Sequence, residues 1–221
     1  MDAPRFREAT ALDAGFLAKA VRQAEQVPLG EGRCMYERLV DLTGDEIDRF
    51  LVDMLSNDGS DHQLTFRTFS VLEQSGVAVA CCAAWIEAAR GRPSGLSIAM
   101  ALSRFIGIKR WREHASAIGV VAECAPRRTP MALQLESFYV EPAHRGRGAT
   151  SRLIEGVLTT FADAGRLPAF AEISLLQENR DAERAYSKAG FEVVWRTPLV
   201  DERLRALTGS DGFVQMRRAL P

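Results

Sequence analysis

The stretch from Leu133 to Phe191 constrains the fold of this chain most. It reads strand, glycine-basic loop, amphipathic helix, strand, second helix. The strand is Leu133-Gln134-Leu135-Glu136-Ser137-Phe138-Tyr139-Val140, and after Glu141-Pro142-Ala143-His144 comes Arg145-Gly146-Arg147-Gly148-Ala149-Thr150, which opens directly into a helix. On that helix Leu153, Ile154, Val157, Leu158 and Phe161 recur at helical spacing, with Arg152, Glu155 and Asp163 largely on the other side. Gly165 and Pro168 end it. Ala169 to Leu176 reads as a buried strand, and Gln177-Glu178-Asn179 breaks it. Asp181 to Ala189 makes a short helix that buries Ala182, Ala185, Tyr186 and Ala189; Gly190 caps it, and Phe191 to Trp195 starts the next strand.

The loop carries a first chemical reading. A helix N-terminus leaves backbone N–H groups unpaired, and its dipole favours negative charge. Glycines let an anion approach those groups, and the two arginines add full positive charge, so phosphate oxygens suit the loop. The nucleotide-hydrolysing pattern G-x-x-x-x-G-K-[ST] and the dinucleotide fingerprint G-x-G-x-x-G are both absent, which disfavours a cleaved nucleoside triphosphate or NAD as the source of those phosphates.

Two motifs then stand in order: Val140-x-Pro142-x-x-Arg145-Gly146-x-Gly148, and Asn179-x-x-Ala182-x-x-x-Tyr186-x-Lys188-x-Gly190-Phe191. Together they resemble the GCN5-related N-acetyltransferase (GNAT) superfamily, over roughly residues 133–195. One departure is Thr150, where the family usually has Gly or Ala; a β-branched residue there either crowds a pyrophosphate or offers it one more hydrogen bond.

The resemblance implies an α/β fold: a mixed, mostly antiparallel sheet of six to seven strands, flanked by helices and splayed at the cofactor site, after Val140. It implies acetyl-CoA as co-substrate and a primary amine of a small molecule or protein as acceptor. Arg145, Gly146, Arg147, Gly148, Ala149 and Thr150 would hold the pyrophosphate. The strand end Phe138-Tyr139-Val140 would hold the pantetheine arm, its amides pairing with the backbone of Phe138 and Val140, and Asn179 would add a side-chain contact. Tyr186 matches the position of a general acid for the leaving thiolate. Glu136, a carboxylate in mid-strand, is the candidate general base, sharing a face with Gln134 and Phe138 by period two. The alternative from another class is an inactive domain that binds acyl-CoA as a sensor or scaffold.

Composition narrows the rest. With 221 residues and 47% hydrophobic content, one acyltransferase domain over residues 1–221 is expected, carrying an apolar and basic insertion at about 88–130. A net charge of −1 gives no case for a nucleic-acid partner, and Arg127-Arg128 and Arg217-Arg218 read as short solvated pairs. No apolar run reaches membrane-spanning length and the N-terminus has no signal-peptide pattern, so no membrane partner is expected. Cys34, Cys81, Cys82 and Cys124 and the scattered His62, His114 and His144 have no metal-ligand spacing. A reducing, cytoplasmic location fits them.

In the first half, residues 5–9 read as a strand and Thr10-x-x-Asp13 as a helix start, with Leu12, Phe16, Ala20 and Val21 inward. Residues 27–36 read as a loop. Thr43-x-x-Glu46 opens a second helix burying Ile47, Phe50, Leu51, Met54 and Leu55, and Asn57-Asp58-Gly59-Ser60 reads as a turn. Strands at about 66–73 and 77–87 joined at Gln74-Ser75-Gly76 form a hairpin. The insertion is apolar enough to contain helix; it reads as packing against the sheet, or as a pocket lid or homodimer surface. Residues 197–212 read as a loop before a last strand, Phe213 to Arg218.

Overall fold

The computed structural model describes residues 3–56 and 62–221; the turn expected at Asn57–Ser60 lies outside them. Among the described residues seven strands form one sheet in the order β1-β2-β3-β4-β5-β7-β6. The strands are β1 (Arg5–Glu8), β2 (Phe69–Gln74), β3 (Val77–Ile86), β4 (Leu133–Val140), β5 (Phe170–Leu176), β6 (Glu192–Arg196) and β7 (Phe213–Ala219). Only β4 and β5 run parallel; every other pair is antiparallel. The sheet expected from the motif resemblance is therefore present, with seven strands.

Helices cover both faces. On one side α6 (Ala149–Asp163) and α7 (Arg180–Lys188) bury Leu153, Ile154, Val157 and Tyr186 against Leu133, Leu135, Ile173 and Met216. On the other, α1 (Ala14–Ala24) and α3 (Gly44–Ser56) bury Leu17, Val21, Ile47, Phe50 and Leu51 against Val71, Cys81, Ala83 and Trp85. Adjacent residues in an extended strand point to opposite faces, so Cys81 and Cys82 enter different cores, and both are buried. The β2–β3 turn works because Ser75 and Gly76 both take positive φ, 52° and 77°, the twist-matched hairpin geometry. The α3 start matches its sequence signal: the Thr43 N–H donates to Glu46 Oε2 at 2.9 Å.

Several expectations from the sequence are corrected. Leu12 is 97% exposed: α1 begins only at Ala14, after a short 3-10 turn over Ala11–Asp13, so Leu12 sits off the helical stripe. The supposed loops at 27–36 and 197–212 contain the start of α2 (Met35–Val40) and all of α8 (Glu202–Thr208). Both helices are too short for a periodic apolar pattern to register. The insertion forms α4 (Ser94–Glu113), which kinks at Gly107 (φ 78°), and α5 (Ala115–Cys124). It also reaches the helices, not the sheet alone. Arg110 of α4 donates to Val40 O and Glu46 Oε1, and Arg203 of α8 pairs with Glu123 of α5. Three of the four arginines read as solvated pairs are engaged, Arg218 by Glu155 and the Ala189 carbonyl. Arg128 is held by Glu136 and Ser94, and Arg217 by the fully buried Glu172.

Candidate active site

The site grows from an irregularity in β4. Pairing with β3 runs from Ile86↔Leu133 to Ala83↔Glu136, then resumes at Cys81↔Tyr139, so Ser137 and Phe138 both lie opposite Cys82. Ser137 takes φ 51° to make this bulge. An extra residue re-aims the side chains beyond it. Gln134 and Glu136 stay on the α1 side, where Gln134 bonds Glu172 and Glu136 bonds Arg128. Phe138 is turned to the α7 side instead, packing on Tyr186 with ring centroids 5.3 Å apart. The shared face expected for Gln134, Glu136 and Phe138 is thus broken at the bulge.

The same irregularity opens the sheet. The parallel β4–β5 ladder has only three steps, Leu133↔Ala171, Gln134↔Glu172 and Leu135↔Ile173. From Glu136 onward β4 has no partner on that edge among the described residues, so the splay starts four residues before Val140, the point expected from sequence. Below the opening, Glu172 ties the joined ends together. Its carboxylate accepts from the Thr129 N–H at 3.0 Å, Thr129 Oγ1 at 2.8 Å, Gln134 Nε2 at 2.8 Å and Arg217 at 2.8 Å. Those donors favour its charged form and hold its pKa below the usual carboxylate value, although burial opposes them.

At the far end of β4 lies the glycine-basic loop. Gly146 and Gly148 take φ 73° and 75°, and a Cβ built on either meets nothing within 4 Å. Gly148 caps α6, whose first hydrogen bond runs from the Arg152 N–H to the Gly148 carbonyl. Ala149, Thr150 and Ser151 follow in the first turn, where the helix leaves its N–H groups for a ligand. The Arg147 side chain makes no ion pair with any described residue. Arg145 is partly committed, since its Nε donates to the Val140 carbonyl at 3.0 Å. That bond folds the loop back over the end of β4 and occupies one of the backbone acceptors on that strand. Tyr139 points to the opposite face, its hydroxyl donating to Glu141 at 3.1 Å.

Tyr186 comes from α7. Its ring is wedged between Phe138 and Phe191, at centroid distances of 5.3 and 6.5 Å. The residue is buried, and its phenol makes no hydrogen bond to any described residue. Burial raises the phenol above its ordinary pKa, and the ionisable side chains of Cys82, Glu136 and Glu25 add to the effect, so the proton stays on the oxygen at neutral pH. Asn179 is exposed and caps α7, its side chain accepting from the Ala182 N–H at 3.2 Å; its NH₂ group remains to donate outward.

The sequence reading missed one titratable group here, Glu25. It closes the C-terminus of α1. A carboxylate among Ala24-Glu25-Gln26 carries no pattern that marks it out. The β4 bulge brings Ser137 Oγ within 3.3 Å of Glu25 Oε1. Burial, then the nearby Glu136, push the Glu25 carboxyl up to about 7, against the opposing effects of Ser137 and Arg128. Among the described residues, no cluster of three or more His, Cys, Asp or Glu side chains could hold a metal ion, and no helix is long and apolar enough to cross a membrane.

The arrangement can do three things: cradle an anion at the loop, accept an extended chain along the free edge of β4, and offer a proton from Tyr186 beside it. Comparison with known proteins agrees in fold and family. The family described as "Acetyltransferase (GNAT) domain" matches residues 66–193. An uncharacterized N-acetyltransferase of Mycobacterium tuberculosis is 36% identical over 61 residues, which are 28% of this chain and 38% of that protein. The match thus spans well under half of the relative's length. A crystal structure of an acetyltransferase superposes with a TM-score of 0.61 at 16% identity, over 98% of this chain and 100% of the other. An N-acetyltransferase from Staphylococcus aureus Mu50 gives 0.60 at 14% identity, over 96% and 99%. At these identities the two superpositions establish the fold alone.

Proposed function

The chain belongs to the GNAT acetyltransferase family, and from that premise we propose that it transfers an acetyl group from acetyl-CoA directly to a primary amine of a small molecule. The observation that carries this reading is the gap between β4 and β5 after Leu135↔Ile173. It lies between an open glycine nest and an unpartnered phenol, the two groups that an acyl thioester with a pyrophosphate tail needs at its two ends. The residues present fit such a donor. Gly146 and Gly148 leave the loop clear of side chains, Arg147 makes no ion pair with any described residue, and the edge of β4 from Glu136 to Val140, on which Arg145 takes the Val140 carbonyl, suits the amides of an extended arm. Acetyl-CoA would supply an activated carbonyl and a thiolate leaving group.

The chain's own residues supply the rest. The loop N–H groups and Arg147 bind phosphate oxygens; Arg145 does so while staying folded onto Val140. Phe138 and Phe191 hold the Tyr186 ring so that its hydroxyl can protonate the departing sulfur. Two carboxylates, Glu136 and Glu25, add to the upward shift of this tyrosine's pKa. The apolar insertion that forms α4 and α5, and a net charge of −1 that offers no acidic field, favour an amine with an apolar body over a basic peptide tail.

The test is thiol release. Incubating the protein with acetyl-CoA and a panel of aliphatic, aromatic and polyamine primary amines, with free CoA detected by a coupled assay, should show amine-dependent turnover. Tight acetyl-CoA binding without thiol release for any amine would replace the enzyme with an acyl-CoA sensor.

A further inference from the structure

The reaction needs a group to take the proton that the amine loses, and two glutamates flank the β4 bulge whose Phe138 packs on Tyr186: Glu136 in the strand itself, and Glu25, to which Ser137 Oγ donates. Their surroundings differ. Glu136 is locked: its Oε1 accepts from Arg128 Nε at 3.0 Å and from a second guanidinium nitrogen at 2.6 Å. Arg128 is fixed in turn, donating to Ser94 Oγ at 2.8 Å and lying 5.3 Å over the Trp85 ring. Ser94 is itself anchored on the buried Glu87, which also accepts from the Trp85 indole. This chain of contacts leaves Glu136 little freedom to turn toward a substrate.

Among the described residues Glu25 has one hydrogen-bond donor, Ser137 Oγ at 3.3 Å. It reaches the site from the end of α1, facing the bulge that parts β4 from β5. The charged and titratable groups around it come from every element packed there: Glu136 and, through Ser137, the bulge from β4; Arg128 from the segment before it; Cys34 and Tyr36 from the start of α2; and Tyr186 from α7. Glu136 pushes protons onto Glu25, and Arg128 draws them off.

We propose that Glu25 is the catalytic group that accepts the proton lost by the acceptor amine, and that the Glu136–Arg128 pair is a positioning and charge-setting device for it. This rests on the acetyl-transfer reading above. In the step, the amine lone pair forms the C–N bond and the C–S bond electrons pass to sulfur. Sulfur takes the Tyr186 proton, and the nitrogen proton goes to Glu25. Afterwards the Glu25 proton returns to the Tyr186 oxygen, so neither residue is consumed and the products are amide and thiol.

The experiment pairs two readouts on wild type, Glu25→Gln, Glu136→Gln and Tyr186→Phe. One is the ¹³C-carboxyl titration of glutamate-labelled protein, with the Glu25 resonance assigned by its loss in Glu25→Gln. The other is the pH profile of kcat/KM for acetyl-CoA with the panel amine that wild type turns over fastest. Wild type should show a carboxyl midpoint near 7 and an acid limb in the rate at the same pH. Glu25→Gln should abolish that limb and slow the reaction about 10²- to 10⁴-fold, with acetyl-CoA affinity by calorimetry unchanged. Glu136→Gln leaves Arg128 unpaired beside Glu25, so both the carboxyl midpoint and the limb should move to lower pH together. A wild-type limb retained in Glu25→Gln, or a Glu25 midpoint at an ordinary carboxylate value, overturns the assignment while leaving acetyl transfer intact. Acetyl-CoA binding with no thiol release in wild type overturns acetyl transfer itself, and the assignment with it.

Discussion

Replacing Glu25 by Gln should stabilise this protein at alkaline pH and leave its stability unchanged at acid pH. The sign follows from linkage. The folded-state carboxyl titrates at about 7 and its ordinary value is 4.5. Between those values the folded chain holds a proton that the unfolded chain has released, so stability falls as pH rises through that window. Below about 4.5 both states are protonated and nothing is lost; above about 7 the full cost is present. At roughly 1.4 kcal/mol per pH unit, complete burial would make that cost about 3 kcal/mol. Glu25 is half-buried, and solvent screening reduces the expectation to about 1–2 kcal/mol. Glutamine keeps the shape and cannot ionise, so it removes this term. In a chain of this size 1 kcal/mol moves Tm by roughly 2–4 °C, which predicts a gain of about 2–8 °C at pH 8 and none at pH 4. Urea unfolding followed by circular dichroism at both pH values measures it. An equal effect at the two pH values, or a loss at pH 8, would refute the electrostatic account of this residue.

Other outcomes follow from the same contacts. Gly148→Glu should abolish acetyl-CoA binding by calorimetry, because it puts a side chain and a negative charge into the nest at a φ of 75°. Arg145→Ala should weaken that binding by about 1–3 kcal/mol, the scale of a charge-assisted hydrogen bond, and unchanged affinity in both variants would move the phosphate site elsewhere. Tyr186→Phe should cut kcat about 10²- to 10⁴-fold with little change in acetyl-CoA affinity, since the ring packing on Phe138 and Phe191 survives; a wild-type kcat would make the tyrosine structural. Gly156→Ala should destabilise by about 1–3 kcal/mol, because its Cβ would sit 2.4 Å from the Phe6 ring. Adding Phe6→Leu should recover part of the loss in a denaturant titration, and a neutral Gly156→Ala would show that β1 yields to α6.

What could be read from residues alone was whatever repeats or punctuates locally. Leu153, Ile154, Val157 and Leu158 announce α6 by spacing, Thr43 and Glu46 announce α3 by a cap, and Ser75-Gly76 announces the hairpin. The ordered motifs from Val140 to Phe191 then point to the family, because a glycine nest at a helix start is itself a local pattern. Short helices such as α2 and α8 were hidden because six or seven residues carry too little period. The candidate active site depended on something no local pattern records. A single extra residue at Ser137 breaks the alternation of β4, sends Phe138 to Tyr186 and leaves Glu136 facing Arg128. It also ends the β4–β5 ladder at Leu135 and presents Ser137 to Glu25, 112 residues earlier in the chain. Chain distance is irrelevant to a carboxylate's proton affinity, which depends on burial and on the charges that folding brings near it. The sequence therefore determined the sheet, the loop and the candidate acid, and only tertiary structure decided which glutamate is locked by an arginine and which is held near neutral pH.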